Sequence, residues 1–174
     1  MDLKKKVRNI PNFPKEGITF RDIGPLLEDK TTFGFIIDQF VHEYRHLRID
    51  KVVGIDARGF ILAGVLADRL KAGFVMVRKK GKLPSKVHSV GYSLEYGRAV
   101  LEMHQDSIKA GERVLIVDDV LATGGTVGAT ASLVKKAAGK IVGIAFLIVL
   151  DYLAGRKKLK DYPLFFLINY PETK

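Results

Sequence analysis

Short runs of β-branched and other apolar residues alternate with amphipathic stretches along this chain, and that rhythm admits few folds. Residues 51–55, 73–77, 113–117, 141–149 and 164–168 each read as a buried strand, with helices expected over 58–71 and 123–138. Strand, helix, strand in this order builds parallel βαβ units, because a twisted strand followed by a helix packs back onto its sheet in one hand only. The expected fold is therefore α/β, a mostly parallel twisted sheet flanked by helices. Ligands of such sheets collect beyond the carboxyl ends of the strands, here at Asp56, Arg78 and Asp118.

The chain has 174 residues, which suits one domain, and its 47% apolar content is enough for a packed core. With no Cys it can build no disulfide scaffold, thiolate nucleophile, cysteine zinc site or iron–sulfur cluster, and it fits a reducing compartment. The longest apolar run, 141–150, is broken by Gly143 and is about half of the ~20 residues a membrane helix needs, so no membrane partner is expected. Met1-Asp2-Leu3-Lys4-Lys5-Lys6 opens the chain without an apolar export segment behind it, and the expected localisation is cytoplasmic.

A net charge of +10 suits an anionic partner, either nucleic acid or a small polyphosphate. The positive charge concentrates at 4–8, at Arg78, Lys79, Lys80, Lys82 and Lys86, and at Arg156, Lys157, Lys158 and Lys160. The middle cluster lies on a loop containing Gly, Pro and Ser, the kind of segment that contacts ligands.

Residues 31–48 carry Phe33, Ile36, Ile37, Phe40, Val41, Tyr44 and Leu47 at helical spacing, predicting an amphipathic helix that covers the sheet. Its other face holds His42-Glu43-Tyr44-Arg45-His46, a match to the H-E-x-x-H pattern in which two His one turn apart bind zinc. These His share a polar face with Asp38, Gln39 and Arg45 and lack a third ligand. The match reads as a solvated helix face, and no metal site made by protein side chains is expected.

The most informative segment is 114–126, Val-Leu-Ile-Val-Asp-Asp-Val-Leu-Ala-Thr-Gly-Gly-Thr: a strand, an acidic pair and a small-residue turn opening a helix. Free N–H groups at a helix start, the close approach that Gly124 and Gly125 permit, and the Thr123 and Thr126 hydroxyls make a nest for a phosphate dianion. Asp118 and Asp119 would repel a bare phosphate, so the ligand must also offer hydroxyl donors or a metal ion, as a ribose phosphate does. The segment is no Walker loop, lacking Gly-Lys-Ser/Thr, and no dinucleotide fingerprint, lacking G-x-G-x-x-G. A plain capping role for Asp119 and Thr123 leaves the co-occurrence of all these parts unexplained.

This segment resembles the phosphoribosyl diphosphate signature of type I phosphoribosyltransferases. Gly-Ile-Thr-Phe-Arg-Asp-Ile at 17–23, Asp-Ala-Arg-Gly-Phe at 56–60, Arg-Lys-Lys-Gly-Lys-Leu-Pro at 78–84 and Tyr-Ser-Leu-Glu-Tyr-Gly at 92–97 are similar, in order and spacing, to the adenine-specific branch. The resemblance covers about residues 10 to 170. It implies the type I phosphoribosyltransferase fold in a single domain, with a small N-terminal base-binding hood over about 1–30. Residues 81–97, too polar and Gly-rich for core, read as a mobile flap.

By the same resemblance, Asp118 and Asp119 bind the ribose hydroxyls, and Ala122, Thr123, Gly124, Gly125 and Thr126 hold the 5-phosphate. Ala57, Arg58 and Gly59 receive the diphosphate, with a non-proline cis peptide expected at Asp56–Ala57. Arg78, Lys79 and Lys82 complete that site. Phe20 and Arg21 sandwich and orient adenine beneath backbone contacts from Ile18 and Thr19, against an apolar wall of Val120, Leu121 and Leu150. Glu95, on the flap between Leu94 and Tyr96, exchanges a proton with the purine ring, and His88 is a weaker competitor for that role.

The implied reaction is Mg²⁺-dependent transfer of 5-phosphoribosyl from 5-phosphoribosyl 1-diphosphate to adenine, giving AMP and diphosphate, in a homodimer. Breaking the anomeric C–O bond leaves an oxocarbenium-like ribose and a growing negative charge, so catalysis is mainly positioning and electrostatics. Magnesium is held mainly by the substrate. The nearest rival is a 6-oxopurine (hypoxanthine/guanine) enzyme, because base choice rests on backbone carbonyls near Ile18 and Thr19. The other is a non-catalytic regulator that binds phosphoribosyl diphosphate or RNA. Against it, the chain has no helix-turn-helix signature and no RNA-recognition aromatics, and it keeps Glu95, so nucleic acid is not the expected partner.

Overall fold

Gly54 and Val117 lie side by side on the two central strands of a seven-stranded sheet, β3 (Lys51–Ile55) and β7 (Arg113–Leu121), which run parallel. The structure is a computed structural model and describes residues 1–93 and 98–172. β4 (Gly73–Lys79) flanks β3, while β8 (Lys140–Leu150) and β9 (Leu164–Tyr170) continue the parallel sheet beyond β7. β6 (Arg98–His104) runs antiparallel to β4, and β5 (Val87–Ser93) antiparallel to β6 at the edge. Apart from this sheet, β1 (Arg8–Pro11) and β2 (Thr19–Asp22) form an antiparallel hairpin.

Helices cover both faces, which is why the central strands are nearly continuous apolar runs. Alternate side chains divide between the two cores. Leu115 and Val117 pack with Ile36, Ile37 and Phe40 of α2 (Lys30–Tyr44) and Leu62 and Leu66 of α3 (Gly59–Arg69). Val114 and Ile116 pack with Leu133 and Val134 of α4 (Gly125–Lys136) on the other side. A short α1 (Gly24–Glu28) precedes α2, whose N-cap Asp29 accepts the Thr31 N–H at 3.0 Å. Among the described residues, no helix is long and apolar enough to cross a membrane.

Two departures from the expected elements matter for the site. β7 runs four residues past the expected 117, so the acidic pair lies within the strand. β8 supplies the ladder partners for that extension, Ile148 beside Val120 and Val149 beside Leu121. Seven residues of the stretch read as a flap are strand β5, paired with β6 from Val87 to Ser93. Its polar look comes from alternation: Val90 and Tyr92 pack on the α4-side core, while Ser89 and Gly91 are exposed.

Candidate active site

The chain leaves β3 toward β4 but leaves β7 toward β8, in opposite directions, and a crevice opens where the winding reverses. From β3 come Asp56, Ala57, Arg58 and Gly59, with the Asp56–Ala57 peptide cis. From β7 come the acidic pair and the turn into α4. A Cβ on Gly59 would stand 2.6 Å from Asp118 Oδ1 and 3.2 Å from the Val117 carbonyl oxygen. Only glycine lets α3 begin this close to the acidic strand.

Asp119 is 6% exposed, and Arg58 Nε lies 2.7 Å from its Oδ2. The contact is an ion pair rather than a directed hydrogen bond, and this buried oxygen accepts none from the described residues. Asp118 Oδ1 accepts the Asp119 N–H at 3.0 Å. Burial, and then the neighbouring Asp119 charge, push the Asp118 carboxyl well above the usual carboxylate range. Burial also raises Asp119, with Arg58 opposing it. Two carboxylates short of donors suit a ligand that brings hydroxyls, a cation, or both.

Gly124, in the left-handed region at φ +80°, turns the chain into α4. Beside it a cavity of about 90 Å³ is lined by Asp118, Leu121 and every residue from Ala122 to Thr126. The leading N–H groups of α4 have no partners within the helix, and its positive dipole end faces the same space. Gly155, after β8, backs the turn so closely that a Cβ on it would collide with the Ala122 carbonyl oxygen.

A second cavity, of about 470 Å³, is lined by Ile18, Thr19, Phe20, Arg21, Arg58, Val120, Ala122 and Leu150. Phe20 meets Phe13 edge-on at 5.3 Å, and the Arg58 guanidinium sits 5.1 Å from the Phe20 ring centre. The guanidinium of Arg21, expected to orient the base, donates to Asn9 Oδ1 at 2.7 Å and stacks 4.1 Å from the centre of the Tyr170 ring. Leu121, expected on the base wall, turns away from this cavity. Successive strand residues face opposite sides, so Val120 and Ala122 meet this cavity while Leu121, 1% exposed, joins the α4-side core. Gly17, the first residue of the 17–23 motif, also lines it, as do Lys15, Tyr152 and Leu153, which the sequence reading did not assign to the base. Tyr152 and Leu153 directly follow β8, so the carboxyl-end rule pointed to them.

Arg78 donates from Nε to Asp56 Oδ2 at 2.8 Å and from a terminal nitrogen to the Lys82 carbonyl at 3.2 Å, while the Lys79 and Lys82 residues are exposed. His42 is exposed on α2 and His46 is exposed in the turn beyond it, because the helix expected over 31–48 ends at Tyr44; Asp38 on the polar face of α2 pairs with Arg69 at 2.8 Å. Glu95 and Tyr96 lie outside the described residues.

The fold and crevice define a class: an α/β protein that sets a carboxylate pair between a phosphate-cradling helix start and an aromatic-sided cavity. The chain belongs to the phosphoribosyl transferase domain family, whose profile matches residues 28–171. It is 52% identical over 170 residues to the adenine phosphoribosyltransferase of Desulfosudis oleivorans, covering 98% of each chain. The crystal structure of adenine phosphoribosyltransferase from Thermoanaerobacter pseudethanolicus superposes with a TM-score of 0.94 at 46% identity, over 97% of this chain and 98% of that one. The Saccharomyces cerevisiae adenine phosphoribosyltransferase, crystallised with adenine and an imino-altritol bisphosphate, gives 0.90 at 39% identity over 94% and 95%.

Proposed function

We propose that the chain is a purine-salvage enzyme that transfers 5-phosphoribosyl from 5-phosphoribosyl 1-diphosphate to adenine, giving AMP and diphosphate. The observation that carries this reading is that Val120 and Ala122 line both cavities. A nucleotide needs its base on one side of the ribose and its 5-phosphate on the other, with the sugar hydroxyls between. The Asp118–Asp119 pair stands on the strand that connects the two. The yeast relative was crystallised with adenine and an imino-altritol bisphosphate together, the two kinds of group that this reading assigns to the two cavities.

As the anomeric C–O bond breaks, positive charge develops on the ribose and negative charge on the diphosphate. Asp118 and Asp119 hold the ribose hydroxyls and stabilise the cationic sugar. Arg58, within reach of both Asp119 and the Phe20 ring, stands beside the reacting centre and with Arg78 receives the leaving group. Magnesium held mainly by the diphosphate would supply charge neutralisation, and the carboxylate oxygens of Asp118 and Asp119 would be its ligands from the protein. Glu95 exchanges the proton on the base, and the segment around it excludes water from the cationic sugar. For base choice, an acceptor must face the 6-amino group. The Ile18 carbonyl already accepts the Phe13 N–H at 3.1 Å, which leaves its second lone pair and the Thr19 carbonyl for the base.

Two copies associate through the outer face of β4. Phe74 and Met76 there are each 40% exposed, and Ile61 of α3 is 43% exposed. A parallel strand is normally covered on both faces, and a second copy would cover this one. The proposed compartment is the cytoplasm, in keeping with a chain that has no Cys.

The test is to incubate the purified protein with Mg²⁺, phosphoribosyl diphosphate and, separately, adenine, hypoxanthine and guanine, and to follow nucleotide formation by chromatography. AMP from adenine alone is the expected result. IMP or GMP would move the protein to the 6-oxopurine branch, and phosphoribosyl diphosphate binding without product would make it a regulator.

A further inference from the structure

Tyr92 stands on the edge strand β5, yet its ring packs against the core on the α4 side of the sheet. Its hydroxyl accepts a hydrogen bond from Thr126 Oγ1 at 3.3 Å. Thr126 lies in the first turn of α4 and lines the cavity of about 90 Å³ assigned to the 5-phosphate. At the far end of the same helix, Lys136 Nζ donates to the Ser89 carbonyl at 2.9 Å. Strand β5 is thus fastened to α4 at both ends, and at the phosphate end the fastening is one hydroxyl pair.

A threonine hydroxyl carries a single proton. In the structure Thr126 gives that proton to Tyr92. A phosphate dianion offers only acceptors, so when it occupies the turn the Thr126 proton must go to a phosphate oxygen. Thr126 Oγ1 then has lone pairs to offer and no proton left for Tyr92. Tyr92 is both donor and acceptor, so it can reverse its role and donate to Thr126. The result is a chain from Tyr92 O–H to Thr126 Oγ1, and from Thr126 O–H to phosphate, in which each bond polarises the next and the last ends on a charge.

We infer that Tyr92 is a positioning residue for the 5-phosphate: it holds the Thr126 hydroxyl in line and supplies the hydrogen bond that lets Thr126 donate to the ligand. The inference rests on the reading of the 122–126 turn as the 5-phosphate site. No covalent step is involved, and Tyr92 is not among the residues that line either cavity.

The test is a double-mutant cycle on the full chain, with ribose 5-phosphate as the probe and calorimetry as the readout. Tyr92→Phe removes one oxygen and keeps the packed ring. It should weaken ribose 5-phosphate binding by about three- to tenfold, the loss expected for one hydrogen bond to a neutral partner. In a Thr126→Val background the same change should cost almost nothing. In steady-state assays Tyr92→Phe should raise KM for phosphoribosyl diphosphate and leave KM for adenine unchanged. Because the chain has no Trp, ribose 5-phosphate should also perturb the tyrosine absorption band of the native protein, and less so in Tyr92→Phe. Unchanged affinity in Tyr92→Phe, an equal loss in the Thr126→Val background, or a rise in both KM values would overturn the inference. If Thr126→Val itself left ribose 5-phosphate binding intact, the phosphate assignment would have failed, and the role of Tyr92 with it.

Discussion

Arg58 Nε and Asp119 Oδ2 lie 2.7 Å apart, joining the carboxyl end of β3 to that of β7 across the point where the sheet reverses its winding. The same guanidinium faces the Phe20 ring at 5.1 Å, so one side chain touches the acidic pair and the side of the base cavity. Replacing Arg58 by Ala should lower kcat/KM by about 10²–10³-fold, as removal of one preorganised charge stabiliser typically does. Lys should recover little of this, because an ammonium cannot reproduce the planar contact with both partners. Initial rates at varied phosphoribosyl diphosphate check both variants.

The acidic pair predicts a pH signature. Burial and the Asp119 charge hold the Asp118 carboxyl above its usual 3.8, so the folded protein keeps a proton that the unfolded chain has released. Stability is therefore lost as pH rises from the unfolded value through the raised one, and the cost persists at neutral pH. Asp118→Asn should raise the melting temperature at neutral pH, and the gain should shrink as the solution is acidified toward about pH 4. It should also weaken ribose 5-phosphate binding. Thermal melts across pH, with a parallel binding titration, test the two effects together. Equal melting temperatures at neutral pH would mean that Asp118 is not disfavoured as a charge.

Gly155 and the 122–124 turn meet backbone to backbone. A Cβ on Gly155 would collide with the Ala122 carbonyl oxygen, and one on Gly124 would stand 2.8 Å from the Gly155 carbonyl oxygen. Gly155→Ala should displace the turn, destabilise the fold by about 1–3 kcal/mol, and raise KM for phosphoribosyl diphosphate more than KM for adenine. Calorimetric melting and the two KM values are the readouts.

The uncovered face of β4 predicts the assembly state. Met76→Glu places a charge beside Phe74 on the exposed face of β4, and its expected outcome is a monomer in sedimentation velocity where the native chain sediments as a dimer. A native chain that is monomeric at every concentration would remove the proposed interface.

Glu95→Gln keeps the shape of the side chain and removes its acid–base function. Turnover should fall by about 10²-fold, within the range for a lost general acid or base, with phosphoribosyl diphosphate binding largely retained. Turnover equal to the native rate would take Glu95 out of the mechanism.

Most of the scaffold was legible in residue order, because parallel strands buried on both faces must be apolar throughout and their helices must be amphipathic. The strands at 51–55, 73–77, 113–117, 141–149 and 164–168 all occur, each within an observed element, and the acidic pair with its small-residue turn was readable because that chemistry is local. The β5–β6 hairpin was not legible, since an edge strand needs only one apolar face and Val90 and Tyr92 alternate with Ser and Gly. Which way a side chain points was equally hidden: Leu121 faces the α4-side core while its neighbour Val120 lines the base cavity, a choice made by strand phase against β8. The partners of Arg21, Asn9 and Tyr170, lie 12 and 149 residues away in the chain, and Gly155 reaches the turn at Ala122 from beyond the next strand. Contacts of that kind are set by how the sheet twists and which loops it brings together, so composition, periodicity and local motif carry no signal for them, whereas a phosphate nest built from consecutive residues is written in the chain itself.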